Sequence, residues 1–542
     1  MSADNSGGES GMVWKSMIAL AGGAAISLSG AGHAATAAPF QIPAVLHADQ
    51  PGPVLSRHLQ GQFAEHLGAG VYDGIWVGPD SAIPNTRGIR NDVAAALKAI
   101  KVPVVRWPGG CFADIYHWRD GIGAAAKRPV RKNDWWSGLE SNAFGTHEYF
   151  DFVEQIGAES YVAINMATST PSEMREWMDY ITSSAKDSIA DERRANGRQE
   201  PWKLGFVGIG NEAWGCGGAQ TPEYFANEYR RFATFMHRNG STFHMHNDNA
   251  ALRVASGPNN DDVAWMDTVL KSAAPMMDAI SLHYYTVFDG KWENRDKAGA
   301  TGFPADHWNH ILYQASRMDG VLRMHEAVMD RHDPQKRIGL YVDEWGTWYA
   351  PEAGTEPGFL RQQNTLRDAL VTAMTLNIFH AHADRVKMAN IAQAVNVLQA
   401  MILTDGAKMA RTPTYHVFAM YTPFQDATAL PLEVSAPMLK SGANSFPAFS
   451  ASAARGKDGR VHVAVANADA DRGYRLSVKL DGIRAGKVSG QVLTAAQTDA
   501  HNVPGAAEQV RPVRFDGAKL VGGALVLDIP EKSVVVVALD QN

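Results

Sequence analysis

A (β/α)8 TIM barrel with a C-terminal antiparallel β-sandwich, an α/β unit joined to an all-β one, is the fold class this sequence predicts. Three observations carry it. Short apolar strands alternate with amphipathic helices between residues 55 and 415, polar residues gather where those strands end, and the chain switches to period-2 alternation after about residue 430. The strand candidates are, in order, GQFAEHLG, VPVVRWPG, SYVAINMA, LGFVGIGNE, LRVASGPN, DAISLHYYT, IGLYVDEWG and DRVKMANIAQ, which makes eight.

The helices between them follow the same grammar. In NDVAAALKAI, Val93, Leu97 and Ile100 share one helical face just before the second strand. After the fourth strand, Thr221 is a good N-cap with Pro222 at the first helical position. Phe225, Tyr229 and Phe232 then recur at helical spacing, and Gly240 can close the helix. Further on, Val461, Val463 and Val465, then Tyr474, Leu476, Val478 and Leu480, then Leu525, Leu527 and Ile529 alternate as strands separated by KDG, LDG and FDG turns. Residues 416–542 are therefore expected to form the sandwich, and residues 38–54 to lend it a strand.

The 542 residues are 45% hydrophobic and 20% charged, a balance that buries a large core. Fifty Lys and Arg against 57 Asp and Glu give a formal charge of -7, so bulk electrostatics draw the chain neither to nucleic acid nor to an anionic membrane. Residues 1–37 read as a leader. From Met12, a plausible start, Lys15 supplies a positive charge, Met17 to Leu28 a short apolar stretch, and GHAATA the small residues of a cleavage site. Export, to the periplasm or the medium, is the expectation.

Two glutamates end strands four and seven in nearly the same way, Glu212 in GIGNEAWG and Glu344 in YVDEWGTW. On a closed barrel those ends converge, and a close carboxyl pair is what double-displacement glycoside hydrolysis needs. Alone, either glutamate reads as a salt bridge or a cap; the pair, with Trp214, Trp345 and Trp348 nearby, favours catalysis. Gly208, Gly210 and Ala213 match a weak dinucleotide pattern, but a pyrophosphate there would meet the Glu212 carboxylate. His380 and His382 stand two apart, which splits them onto different faces of a helix, so no metal is expected.

The motifs GNEAWGCGG, VDEWGTWY, VRWPGGCFADIYHWRDGIG, GIWVGPDSAIPNTRGIR and DRVKMANIAQAVNVLQA resemble glycoside hydrolase family 51, the α-L-arabinofuranosidases, from about Leu59 to Leu430. The resemblance implies Glu212 as acid and base and Glu344 as nucleophile. It implies that Glu65, Arg106, Asn211, Tyr285 and Gln393 line a pocket for one arabinofuranose, cleaved with retention and without metal or other cofactor. Cys111 stands in WPGGCF where many members have Asn, placing a weak donor in the sugar pocket. The partner implied is an arabinose-containing oligo- or polysaccharide, with a homo-oligomer left open. An endo-glycanase or β-xylosidase on the same barrel, and a non-catalytic carbohydrate-binding protein, are the alternatives. Cys111 and Cys216 are expected as free thiols at the mouth of the site, since two cysteines seldom frame a barrel this large, although export leaves a disulfide open.

Overall fold

Eight parallel strands close into a barrel in the computed structural model, which describes residues 40–236 and 251–541. They run Gly61–Phe63, Val104–Trp107, Glu159–Ile164, Phe206–Ile209, Leu252–Ala255, Ala279–Thr286, Gly339–Thr347 and Val386–Ala392, each paired in parallel with its sequence neighbours and the last with the first. All eight strand candidates are found, in order. Residues 1–37, expected as a leader, and Gly240 lie outside the described residues. Among those described, no helix is long and apolar enough to cross a membrane.

The helices form where capping and spacing put them. Helix Pro222–Thr234 starts with Thr221 accepting from the Tyr224 N–H and buries Phe225, Tyr229 and Phe232, while Asn91–Ala99 buries Val93 and Leu97. The barrel interior is plugged by Val104, Tyr161, Phe206, Val254, Ala279, Tyr341 and Met388, one from each strand after the first. That plug leaves only the C-terminal mouth for chemistry.

Two sheets, antiparallel apart from one parallel pairing, form the second layer system. The six-stranded sheet is built on Phe449–Arg455, Val461–Asn467, Ser533–Gln541 and Ala485–Leu493. The five-stranded sheet centres on Tyr474–Asp481, flanked by Ala524–Ile529 and by Phe40–His47, which pairs with it in parallel. Ile42, Leu46, Val463, Val465, Leu476, Leu527, Val535 and Val537 interdigitate between the sheets. Strand Val461–Asn467 is buried on both faces, because its second face, with Ala464 and Ala466, joins the barrel's core. Helix Leu366–Ala381 packs against that face and is buried almost all round.

Candidate active site

Strand four ends in a turn whose backbone is set by glycine. The carbonyl of Glu212 accepts from Gly215 N at 2.7 Å and Gly217 N at 3.1 Å, and Glu212 itself is held at φ 38°, a left-handed conformation rare for a side-chain-bearing residue. Asp114 ties this turn down by accepting from the N–H groups of Asn211, Met166 and Ala167. The turn thereby aims Glu212 over the barrel mouth.

Glu344 arrives from strand seven, clamped at both oxygens. Arg106 Nη1 donates to Oε1 at 2.7 Å and the Tyr285 hydroxyl to Oε2 at 2.8 Å. The other arm of Arg106 donates to Asn211 Oδ1 at 2.6 Å, and its guanidinium lies 4.6 Å from the centre of the Phe63 ring. One fully buried cation thus orients residues of strands four and seven together, a task its planar fork suits. Neighbouring carboxylates, Asp343 and Glu344, raise its affinity for the proton despite burial.

Glu65, after strand one, accepts at Oε1 from Gly110 N, Phe112 N and the Trp136 indole, and at Oε2 from Gln393 Nε2 at 3.3 Å. Burial, with the charge of Glu344, still pushes its carboxyl up to about 7. Burial also raises Glu212 above its ordinary value. The hydrogen bond and charge of His283 oppose that rise, and Glu344 adds to it.

These groups surround a cavity of about 100 Å³. Its wall includes Glu65, Cys111, Asn211, Glu212, Tyr285, Glu344 and Gln393, with Arg106 directly beneath. One oxygen of Glu212 and one of Glu344 lie within 4.8 Å of each other, and His283 Nδ1 is within the same distance of both.

Two expectations about the residues of the site need correction. Cys111 and Cys216 are not free thiols; they form a disulfide with Cα atoms 5.5 Å apart. Counting cysteines against the size of a framework misses a local bridge between the loops that follow strands two and four, which converge over the same mouth. Nor is Trp345 beside the pair: its ring faces Phe379 and Phe418, outside the barrel. Trp348 does line the cavity, together with Trp136 and Trp292, which the sequence reading missed because both sit on loops without periodicity.

The sequence reading also left His283 and Asp343 without a role in the site. His283 Nδ1 is 2.8 Å from Glu212 Oε1 and 3.6 Å from Glu344 Oε2, while Nε2 is 3.0 Å from Asp343 Oδ1. A signal existed for His283, since it stands two residues before Tyr285 and so on the same strand face. His380 and His382 are structural: the first bonds to Ser452 Oγ, the second lies between Glu326 and Asp319.

This geometry has known relatives. The chain matches the Alpha-L-arabinofuranosidase 1 domain over residues 96–299 and the Alpha-L-arabinofuranosidase C-terminal domain over residues 343–533. An intracellular exo-alpha-L-arabinofuranosidase of Bacteroides ovatus is 44% identical over 91% of this chain and 95% of its own. The chain belongs to glycoside hydrolase family 51. Among solved family 51 structures, the arabinofuranosidase of Xanthomonas axonopodis pv. citri is 49% identical with a TM-score of 0.89, covering 92% of this chain and 100% of that one. The Thermotoga maritima α-L-arabinofuranosidase, solved as an arabinose complex, is 27% identical with a TM-score of 0.79 over 92% and 100% of the two chains. The expectation of export is overturned by the Bacteroides ovatus relative, which is named as intracellular. A short apolar stretch with small residues is leader grammar by composition alone.

Proposed function

We propose that Glu344 attacks the anomeric carbon of a terminal arabinofuranosyl residue while Glu212 protonates the departing oxygen. The chain is a retaining, exo-acting α-L-arabinofuranosidase, a glycoside hydrolase acting on arabinose-containing glycans. Arabinan, arabinoxylan and their oligosaccharides are the substrates we assign to it. The reading of the two glutamates is carried by one observation: their carboxyl oxygens approach within 4.8 Å across a cavity sized for a single small sugar.

In the first step a bond forms between Glu344 and the anomeric carbon as the glycosidic bond breaks, and the Glu212 proton goes to the leaving oxygen. In the second, Glu212 takes a proton from water as that water's oxygen displaces Glu344, so configuration is retained. Arg106 and Tyr285 hold the nucleophile in place on both oxygens. Asn211 lines the cavity and its side-chain NH2 is suited to the sugar 2-hydroxyl, while Glu65 with Gln393 offers acceptors and donors to the remaining hydroxyls. Enclosure by Trp136, Trp348 and Leu360 favours a chain end over an internal unit and so argues against an endo-acting cleft.

Substitution separates the roles. Glu212→Ala should slow substrates with poor leaving groups by several orders of magnitude and an activated aryl arabinofuranoside far less, with azide rescuing turnover as the α-configured glycosyl azide. Glu344→Ala should abolish turnover of both, and any azide product should be β-configured. Leaving-group dependence in the Glu344 variant instead would reverse the assignment.

A further inference from the structure

We infer that Asp343 is a positioning residue for the proton donor, acting through His283: it holds the imidazole charged, and the charged imidazole in turn sets the proton affinity and orientation of Glu212. The inference rests on the reading of Glu212 as acid and base.

Asp343 and Glu344 are consecutive in a strand, so simple alternation would send them to opposite faces. Both nevertheless face the barrel interior. Tyr341 belongs to the inner plug and Trp345 to the helix-facing side, so the alternation slips by one residue between them. The pairing registers show where: strand seven shifts against strand six between Ser281 and His283, and against strand eight between Val342 and Trp345. An irregularity of this kind re-aims side chains, and here it delivers a third carboxylate under the catalytic pair.

Asp343 is 3% exposed and held from three sides. Its Oδ2 accepts from the Tyr161 hydroxyl at 2.7 Å and lies 3.6 Å from Arg106 Nε, while Oδ1 has His283 Nε2 at 3.0 Å as its charged partner. That last contact sets a carboxylate against the imidazole and favours its charged form. His283, itself 4% exposed, spans from Asp343 to Glu212. With Nε2 turned to Asp343, Nδ1–H donates to Glu212 Oε1, which leaves Oε2 to carry the transferable proton.

The electrostatic signs run in one direction. Burial alone would lower the proton affinity of His283, but Glu344, Asp343 and Glu212 together push it up to about 10. His283 in turn lowers the affinity of Glu212. Taking away the Asp343 charge should therefore release the His283 proton more readily and let the Glu212 value climb. The other titratable or charged groups that face this pair are Glu65 of strand one, Arg106 of strand two, Tyr161 of strand three, Tyr285 of strand six and Glu344 of strand seven; all are retained by the substitution.

The test is the alkaline limb of kcat/KM against pH for a poor-leaving-group arabinofuranoside. Asp343→Asn should lower the rate and move that limb to higher pH by about one unit; a merely structural role would lower the rate and leave the limb in place. Tyr161→Phe removes a partner of Asp343 and keeps its charge, so its limb should stay put or move to lower pH. An unmoved or acid-shifted limb in Asp343→Asn overturns the inference, and, should that variant not fold, an upward shift in Tyr161→Phe does so. In a Glu212→Ala background with an activated aryl substrate, Asp343→Asn should move nothing further; a shift that persists there would mean that Asp343 works on Glu344. The leaving-group dependence of Glu212→Ala alone tests the acid assignment, so failure of that assignment and failure of this inference are told apart.

Discussion

Opening the Cys111–Cys216 bridge should weaken the fold and the catalyst together, because the bridge closes a long loop and ends beside Glu212, the proposed proton donor. The cysteines are 105 residues apart in sequence. Cross-linking a loop of that length removes chain entropy worth about 5 kcal/mol from the unfolded state, and measured bridges deliver about 2–5 kcal/mol. Spread over a chain with an unfolding entropy of about 2 cal/mol/K per residue, that loss lowers Tm by only ~2–5 °C, so urea midpoints of oxidised and reduced protein are the better assay. Activity should respond more sharply. Cys216 Sγ lies 3.6 Å from Asn211 Nδ2 and 3.7 Å from Glu212 Oε2, the second a packing contact since a bridged sulfur has no proton to donate. Cys111 lines the same cavity as Glu212, so the bridge pins the turn after strand two to the turn carrying Glu212. A drift of the acid by about 1 Å costs up to roughly 100-fold in rate, and kcat/KM should fall by about tenfold or more on reduction or in the Cys111→Ala/Cys216→Ala variant. Thiol counting on denatured protein verifies the starting state: none before reduction, two after. An unchanged urea midpoint and unchanged kcat/KM with both thiols demonstrably free would refute the reasoning.

Stability should also depend on pH through Glu65. Its folded carboxyl, pushed to about 7 from an ordinary 4.5, keeps a proton that the unfolded chain has lost. That contribution is present below 4.5 and is lost as pH rises to about 7, on the order of 3 kcal/mol. Glu65→Gln should remove this part of the slope in urea titrations, leaving that of Asp114, also pushed to about 7 by burial; an unchanged slope would contradict the assignment. Gly257→Ala should destabilise by about 1–3 kcal/mol and reduce activity. An added Cβ would stand 1.6 Å from the Ser281 carbonyl, in the strand that carries His283 and Tyr285, and a variant with wild-type stability would show that strand six yields freely.

What the sequence made legible is what periodicity and strand ends encode. Eight apolar segments, each followed by a helical pattern, suffice to place the barrel, and a glutamate ending two of them suffices to bring Glu212 and Glu344 together. The rest depended on local departures from period. Asp343 reads as the wrong face of its strand until the register slip before Trp345 is known, and the same slip sent Trp345 away from the site it was expected to flank. Trp136 reaches Glu65 from a loop whose path no spacing rule gives. The disulfide required knowing that two turns, not two strands, are neighbours.

Charge within the mouth gives Glu212 and Glu344, the proposed catalytic pair, different surroundings. Four buried or nearly buried carboxyls, Glu65, Glu212, Asp343 and Glu344, face two cations, Arg106 and His283. Two positive charges in a site of low dielectric can stabilise two carboxylates, not four. Arg106 sits on Glu344 at 2.7 Å, and against the opposing effect of burial Arg106 and His283 hold Asp343 below its ordinary value. Glu65 and Glu212 are left with burial as the dominant influence, and both are pushed up. Under the proposed roles, the donor Glu212 is the carboxyl that burial pushes up, while the attacker Glu344 is the one Arg106 holds at 2.7 Å, and His283 stands between Glu212 and Asp343.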